Sequence, residues 1–347
     1  MIKTERIESL KDRVKRENLE AIVVTGMSDL TYLTELRMEG YWMVVGRKNY
    51  WVITNRLLSG AFEAMDVPEA SLIVQMDFKV ALTELVQKSS FHAVGFDGET
   101  VPYGLGSYFE HQGYKHCPHF IEPLRAVKDK EELAHLKKSC QITARSMAFI
   151  GKKLKSGMTE KAAAYQIEDF MRKQGAERTS FDLIVGSGPN SAIPHHRTAE
   201  RKIQDGDAVV VDIGCVFNNY CSDMTRTFFV GKKPDELFSK VHKIVAESQK
   251  AGIKAVKHGL LGKDIDKVCR GHIEKEGYGK EFTHGTGHGV GLDIHESPWV
   301  RSVSENKLGA GMIITVEPGI YLDGRFGVRI EDTVLVTKTG AEVLTKA

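Results

Sequence analysis

Cysteine is scarce in this 347-residue chain, and the few present do not pair by spacing. Cys117, Cys140, Cys215, Cys221 and Cys269 are odd in number and form no C-x-x-C motif. That argues against a disulfide framework and against a thiolate zinc site, and it fits a reducing, cytoplasmic compartment. Excess charge is missing too. Lys and Arg total 48 against 46 Asp and Glu, leaving +2, so neither nucleic acid nor an anionic membrane is expected as a partner. No apolar stretch is long enough to span a bilayer. The N-terminal MIKTERIESLKDRVKRENLEAIVV is charged from its third residue and lacks the apolar centre of a signal peptide. Low-complexity segments and long linkers are also absent.

The length suits two domains, because single cores usually stop growing at about 250–300 residues. In residues 1–126, Ile7, Leu10 and Val14 repeat at helical spacing, and LEAIVVTG reads as the strand that follows. YWMVVGRKNYWVIT reads as two strands around a turn at Gly46–Asn49, and ASLIVQM and HAVGFDGE as further strands. A small α/β domain is expected here. A stripe of Leu133, Leu136, Cys140, Thr143, Met147 and Ile150 predicts a long helix opening the second domain, residues 127–347. That domain reads as one plan used twice. Helices around 129–150 and 159–174 precede a strand hairpin at 208–230. Helices around 234–257 and 263–276 precede another at 312–336. Thr159 suits the N-cap and Gly175 the C′ position of the second helix.

The chemistry sits in the hairpins. In VVVDIGCVFNNYCSDMTRTFFV, Asn218–Asn219 suits a two-residue turn, and a loop of even length puts Asp212 and Asp223 on one face. In MIITVEPGIYLDGRFGVRIEDTVLVT, an odd loop centred on Gly324 sets Glu317 opposite Glu331, with Arg329 on the same face. Like charges so placed destabilise a sheet unless they face solvent or hold something positive between them. Taken singly, either pair reads most simply as solvated. The arrangement recurs in both halves within strongly apolar strands, and a buried carboxylate must be paired, protonated or bound to metal. One arginine cannot neutralise four carboxylates, which leaves a divalent metal.

Of the 13 histidines, most sit in polar or helical surroundings that demand no role. THGTGHGVGLDIHESP is different, because glycines at 285, 287, 289 and 291 clear space around His288, a candidate metal ligand, with His284 and His295 nearby. Its spacing is not that of a nucleotide-binding loop. His195 and His196 follow Pro194, and on an extended segment only one of them readily enters a common site. Their order in the sequence does not choose between them.

These three segments together resemble the Xaa-Pro peptidase branch of the pita-bread metallopeptidases, which contains prolidase and aminopeptidase P. The resemblance covers essentially the whole chain. It implies a creatinase-like α/β N-terminal domain and an α+β pita-bread catalytic domain like that of methionine aminopeptidase. Two divalent ions per subunit are implied, with Asp212 on one, His288 and Glu317 on the other, and Asp223 and Glu331 bridging. The oxygen-rich donors favour manganese, with cobalt or zinc as alternatives. His195 is implied to contact substrate and stabilise the transition state, His295 to hydrogen-bond near the scissile bond, and Arg329 to orient the ligand shell. Glu317 is the candidate proton carrier, and His196 is assigned no role. The expected substrate is a proline-containing di- or oligopeptide, and the expected assembly a homodimer. A metal-free amidinohydrolase of the creatinase type and a non-catalytic binding protein are the competing readings. Two departures stand out. Trp299 occupies the place where prolidases often carry an arginine, with Arg301 two residues on. A D-x-R-Y pattern of the N-terminal domain appears as Thr54-Asn55-Arg56-Leu57.

Overall fold

Ile7, Leu10 and Val14 are at most 1% exposed on the helix Thr4–Arg16, so the amphipathic stripe is spent on a core. In the computed structural model, which describes residues 2–346, the chain divides into two compact units, Met1–Arg125 and Ala126–Ala347. The first contains a six-stranded sheet in the order Leu72–Val74, Tyr50–Thr54, Tyr41–Gly46, Ala21–Val24, Val94–Phe96, Lys115–His116. Its two central pairings are antiparallel and the outer three parallel. Val23, Val44, Ile53, Leu82, Phe96 and Phe109 share its core. Asp29 and Arg125 form a buried ion pair at 3.0 Å within this unit. Thr54 ends a strand and donates to the Gly40 carbonyl, whereas Leu57 is 88% exposed.

In the second unit each half has its own helices, strands and core. Helices Lys130–Gly151 and Glu160–Lys173 pack with strands Ile184–Ser187, Asp207–Ile213 and Met224–Val230 around Met147, Ile167, Val209, Val211 and Met224. Asp129 and Glu132 close a capping box on the first helix. Thr159 caps the second by accepting from the Ala162 N–H, and Gly175 follows it at φ +99°. Helices Glu236–Ala255 and Gly262–Lys275 pack with Ile313–Val316 and Asp332–Val336 around Val245, Ile265, Ile314, Val316 and Val334. All five cysteines are buried. Among the described residues no helix is long and apolar enough to cross a membrane.

Strand alternation decides what faces the seam between the halves. Val209, Val211 and Ile213 face the helices of their half, so Asp212 faces the other way. Ile314 and Val316 do the same in the second half, turning Thr315 and Glu317 from the helices. Backbone and side chains of 223–227 and 329–333 clip the halves together. The Glu331 N–H donates to Thr225 O (3.1 Å), Thr333 Oγ1 to Asp223 O (2.7 Å), and Arg226 pairs with Asp332 (2.8 Å).

Neither long hairpin is continuous. The first breaks at Gly214, where an added Cβ would lie 2.0 Å from the Ser222 carbonyl, and it resumes as Cys215–Phe217 with Tyr220–Cys221. The second breaks after Val316 at Glu317-Pro318, where proline offers no N–H, and resumes as Gly319–Leu322 with Phe326–Arg329. Register survives both breaks.

Candidate metal centre

The carboxylates are placed by that register. Asp212 lies opposite Thr225, and the Val216–Cys221 pairing carries the same register through the turn at Asn218–Asn219. Both asparagines have positive φ, 47° and 70°, as a type I′ turn requires. Asp223, two residues before Thr225, is therefore the diagonal neighbour of Asp212 on one face. In the second hairpin Val316 pairs with Asp332 and Gly319 with Arg329, so Glu317 and Glu331 lie opposite each other between two rungs. Asp323, Gly324 and Arg325 make the odd turn.

His288 comes from the strand Gly287–Gly289, which is wedged between two others. A Cβ at Gly287 would lie 2.1 Å from Thr315 O, and one at Gly289 2.4 Å from Ser297 O. The glycines therefore serve close backbone approach, and neither has a left-handed φ. The imidazole Nδ1 lies 3.0 Å from the Gly289 carbonyl, an acceptor only, so Nδ1 carries the proton and Nε2 offers a lone pair. That Nε2 is 3.4 Å from Glu317 Oε1 and 3.6 Å from Asp223 Oδ2. Ligand atoms of Asp223, His288 and Glu331 all lie within 4.8 Å of one another.

In three of the four carboxylates one oxygen is left open. Arg329 Nη2 donates to Asp212 Oδ2 at 2.7 Å, and Thr225 Oγ1 donates to Glu331 Oε2 at 2.6 Å. Asp212 Oδ1, Asp223 Oδ1 and Glu331 Oε1 are buried with no hydrogen-bond partner. Such orphans are costly in a native interior, and a cation between them removes the cost. Four carboxylates and one imidazole form a hard donor set suited to divalent ions.

The electrostatics agree. Burial, then Glu331, Asp212 and Glu317, push the Asp223 pKa well up. Burial, then Glu317 and Asp212, do the same to Glu331. Glu317 is pushed up to about 7 by burial, although the Arg329 charge opposes the rise. Burial and the neighbouring His295 bring His288 down to about 3, so it is neutral. Burial would lower the pKa of Arg329, but Tyr321, Asp212 and Glu317 more than offset it, and Arg329 remains a fixed cation.

These residues line a cleft of about 940 Å³ that also admits His195, His284, His295, Trp299 and Arg301. The His295 ring meets the His288 ring edge-on at 4.3 Å between centroids, and the Arg301 guanidinium lies over Trp299 at 5.2 Å. The two adjacent histidines do not lie on extended backbone. Residues 193–196 form a turn closed by the His196 N–H to Ile193 O, which corrects the extended geometry expected there. Both histidines line the cleft, and His196 also bonds to the buried Glu160 at 2.9 Å.

Sequence reasoning passed over Thr225, Thr315, Tyr321 and the role of His284. Arg329 donates to the Tyr321 hydroxyl at 2.7 Å, and that hydroxyl lies 2.8 Å from His284 Nε2. His284 Nδ1 sits 2.7 Å from Gly285 O, so its proton is there and Nε2 accepts from Tyr321. The two-residue period could have found the threonines, since Thr225 faces Asp212 and Thr315 lies two residues before Glu317.

The fold and the cleft define a pita-bread hydrolase with a creatinase-type N-terminal unit, and comparison with known proteins gives the family. Residues 134–338 match metallopeptidase family M24, and residues 6–127 match the creatinase/prolidase N-terminal domain. The chain is 37% identical over 308 residues to a Xaa-Pro dipeptidase of Pyrococcus furiosus, covering 83% of this chain and 88% of that one. A solved Xaa-Pro dipeptidase of Bacillus anthracis superposes with a TM-score of 0.93 at 34% identity, covering 99% and 97% of the two chains. A solved X-Pro aminopeptidase of Thermotoga maritima gives 0.87 at 31% identity, covering 97% and 98%. This chain belongs to metallopeptidase family M24, a family of peptide-bond hydrolases that use divalent metal ions. The amidinohydrolase and non-catalytic readings are not favoured, since its relatives are named as peptidases and all five candidate donors are present.

Proposed function

We propose that this chain is a Xaa-Pro exopeptidase that cleaves the bond before proline in di- or oligopeptides. The observation that carries this reading is the set of unpartnered carboxylate oxygens around His288, in a cleft shared with His195 and His295, in a chain whose relatives are named Xaa-Pro dipeptidases. Asp212, Asp223, His288, Glu317 and Glu331 would hold two divalent ions, manganese by donor hardness, with cobalt or zinc as alternatives. Bound there, such ions supply a low-pKa water and polarise the scissile carbonyl.

The remaining chemistry falls to side chains. Glu317 can take a proton on its carboxylate and return it to the departing nitrogen. That return matters before proline, whose amide nitrogen carries no hydrogen. His195 and His295, both lining the cleft, would donate to substrate oxygen as negative charge develops, and loss of one such donor commonly costs about 10²–10³ in rate. Arg329 holds Asp212 in place through its 2.7 Å bond. We extend the proposal to a homodimer in the cytoplasm, as the resemblance and the odd number of cysteines without C-x-x-C spacing suggest.

Hydrolysis of Ala-Pro beside Ala-Pro-Ala, after chelation and again with Mn²⁺, tests the assignment. Chelation should reduce both rates to background and Mn²⁺ should restore at least one. Cleavage of the dipeptide alone would establish a prolidase despite Trp299. Preference for the tripeptide would mean an aminopeptidase P, and metal-dependent cleavage of neither would sink the specificity.

Metal-free protein should also betray the raised carboxylates. An unfolded glutamate ionises near 4.5, whereas Glu317 in the fold holds its proton to about 7. Its contribution to folding is therefore complete below about pH 4.5 and is lost as pH rises through about 7, and Asp223 and Glu331 act in the same sense. Metal displaces those protons, so the rise in Tm on adding Mn²⁺ should be larger at pH 8 than at pH 5.5. Equal rises at both pH values would remove the raised pKa values from the account.

A further inference from the structure

Five donors converge on one carboxylate outside the metal cluster. Glu160, at the first turn of the helix Glu160–Lys173, is 0% exposed. Its Oε1 accepts from the Ser187 N–H (2.8 Å), Ser187 Oγ (2.7 Å) and Asn190 Nδ2 (3.0 Å). Its Oε2 accepts from His196 Nε2 (2.9 Å) and the Ala199 N–H (3.1 Å). Every donor belongs to residues 187–199, the loop that carries His195 into the cleft. Burial alone would raise the pKa of Glu160; the donors, Ser187, His196 and Asn190 among them, outweigh it and keep the group ionised. His195 itself is exposed and, among the described residues, no hydrogen bond holds its ring. Its position is set by its neighbours. On one side the Pro194 carbonyl accepts from Arg329 Nη1 at 3.3 Å, and on the other His196 is tied to Glu160.

We propose that Glu160, through His196 and the 187–199 loop, is a positioning residue that fixes where His195 meets the substrate. The inference rests on the reading of His195 as a substrate-contacting donor. A carboxylate is needed because it only accepts, and five donors face it; an amide of the same shape would turn N–H groups toward donors at one oxygen site. Displacement of His195 by even about 1 Å weakens a bond that matters most in the transition state, so kcat falls more than KM rises.

The test is a double-mutant cycle on Ala-Pro hydrolysis with Mn²⁺-loaded full-length protein, using Glu160→Gln and His195→Ala. Glu160→Gln alone should lower kcat by roughly 10- to 100-fold with KM within about threefold, below the 10²–10³ ceiling for one donor. In the His195→Ala background the same change should cost less than about twofold. Multiplicative losses would overturn the proposal and assign Glu160 a structural role independent of His195. A His195→Ala enzyme with normal kcat would instead show that the reading of His195 had failed, and the inference with it. Should Glu160→Gln not fold, His196→Ala replaces it in the same cycle, judged by the same outcomes. His196→Gln, which keeps an N–H for Glu160, should recover most of the lost kcat, and no recovery would count against the positioning role.

Discussion

Glu317→Gln should lower kcat for Ala-Pro by roughly 10²–10⁴-fold, the range expected for loss of a positioned acid–base group. Glutamine keeps the volume and one oxygen donor, so the seam between the halves should stay packed. What it loses is the capacity to take a proton. Thr315 Oγ1, 3.3 Å from Glu317 Oε1, remains available to orient the new amide. Metal content has to be measured alongside turnover, because a fully loaded but inactive variant separates proton transfer from metal binding. Near-normal kcat at full metal occupancy would falsify the assigned role.

Asp223→Asn should change sign with metal. Asp223 is 5% exposed, with one oxygen unpartnered and with Glu331, Asp212 and Glu317 all raising its pKa. In chelated protein at pH 7.5, an amide there relieves like-charge repulsion, and the variant should be more stable than the parent by up to about 1 kcal/mol, or roughly 2–4 °C in Tm. With Mn²⁺ present the order should invert, bound metal per chain should fall, and activity should drop by more than the loss of a single donor group, about 10³-fold. A chelated variant less stable than its parent would mean that repulsion between these carboxylates is already relieved within the protein.

Much of this site was legible before the structure because strand parity is a local property. Asn218–Asn219 and Gly324 announced turn lengths, turn lengths set register, and register placed four carboxylates on inward faces. The glycines around His288 likewise reported a backbone approach that only they permit. Glu160 was not legible. Its partners lie 27 to 39 residues away in an irregular loop, where no period links them. The same holds for the Arg329–Tyr321–His284 chain, which requires the second hairpin to lie against the loop at 284–285. Lys115–His116 escaped notice as a strand because it is short, exposed and free of apolar alternation. The turn at 193–196 departs from the extended segment that Pro194 implies, because the His196 N–H to Ile193 O bond closes it.

The unbroken register across each interrupted hairpin makes the site depend on whether a count is odd or even. One residue inserted between the Phe217–Tyr220 rung and Asp223 would leave Asp212 where it is and rotate every later residue of the returning strand as far as the next irregularity. Asp223 would then take the place of Met224, among Met147 and Val211, in a core with no partner for a charge. Two inserted residues would restore the original faces. The same arithmetic governs the stretch between the Leu322–Phe326 rung and Glu331. The turns themselves can lengthen freely, whereas the strand between each turn and its carboxylate can drift only in steps of two, a lineage constraint set by geometry alone.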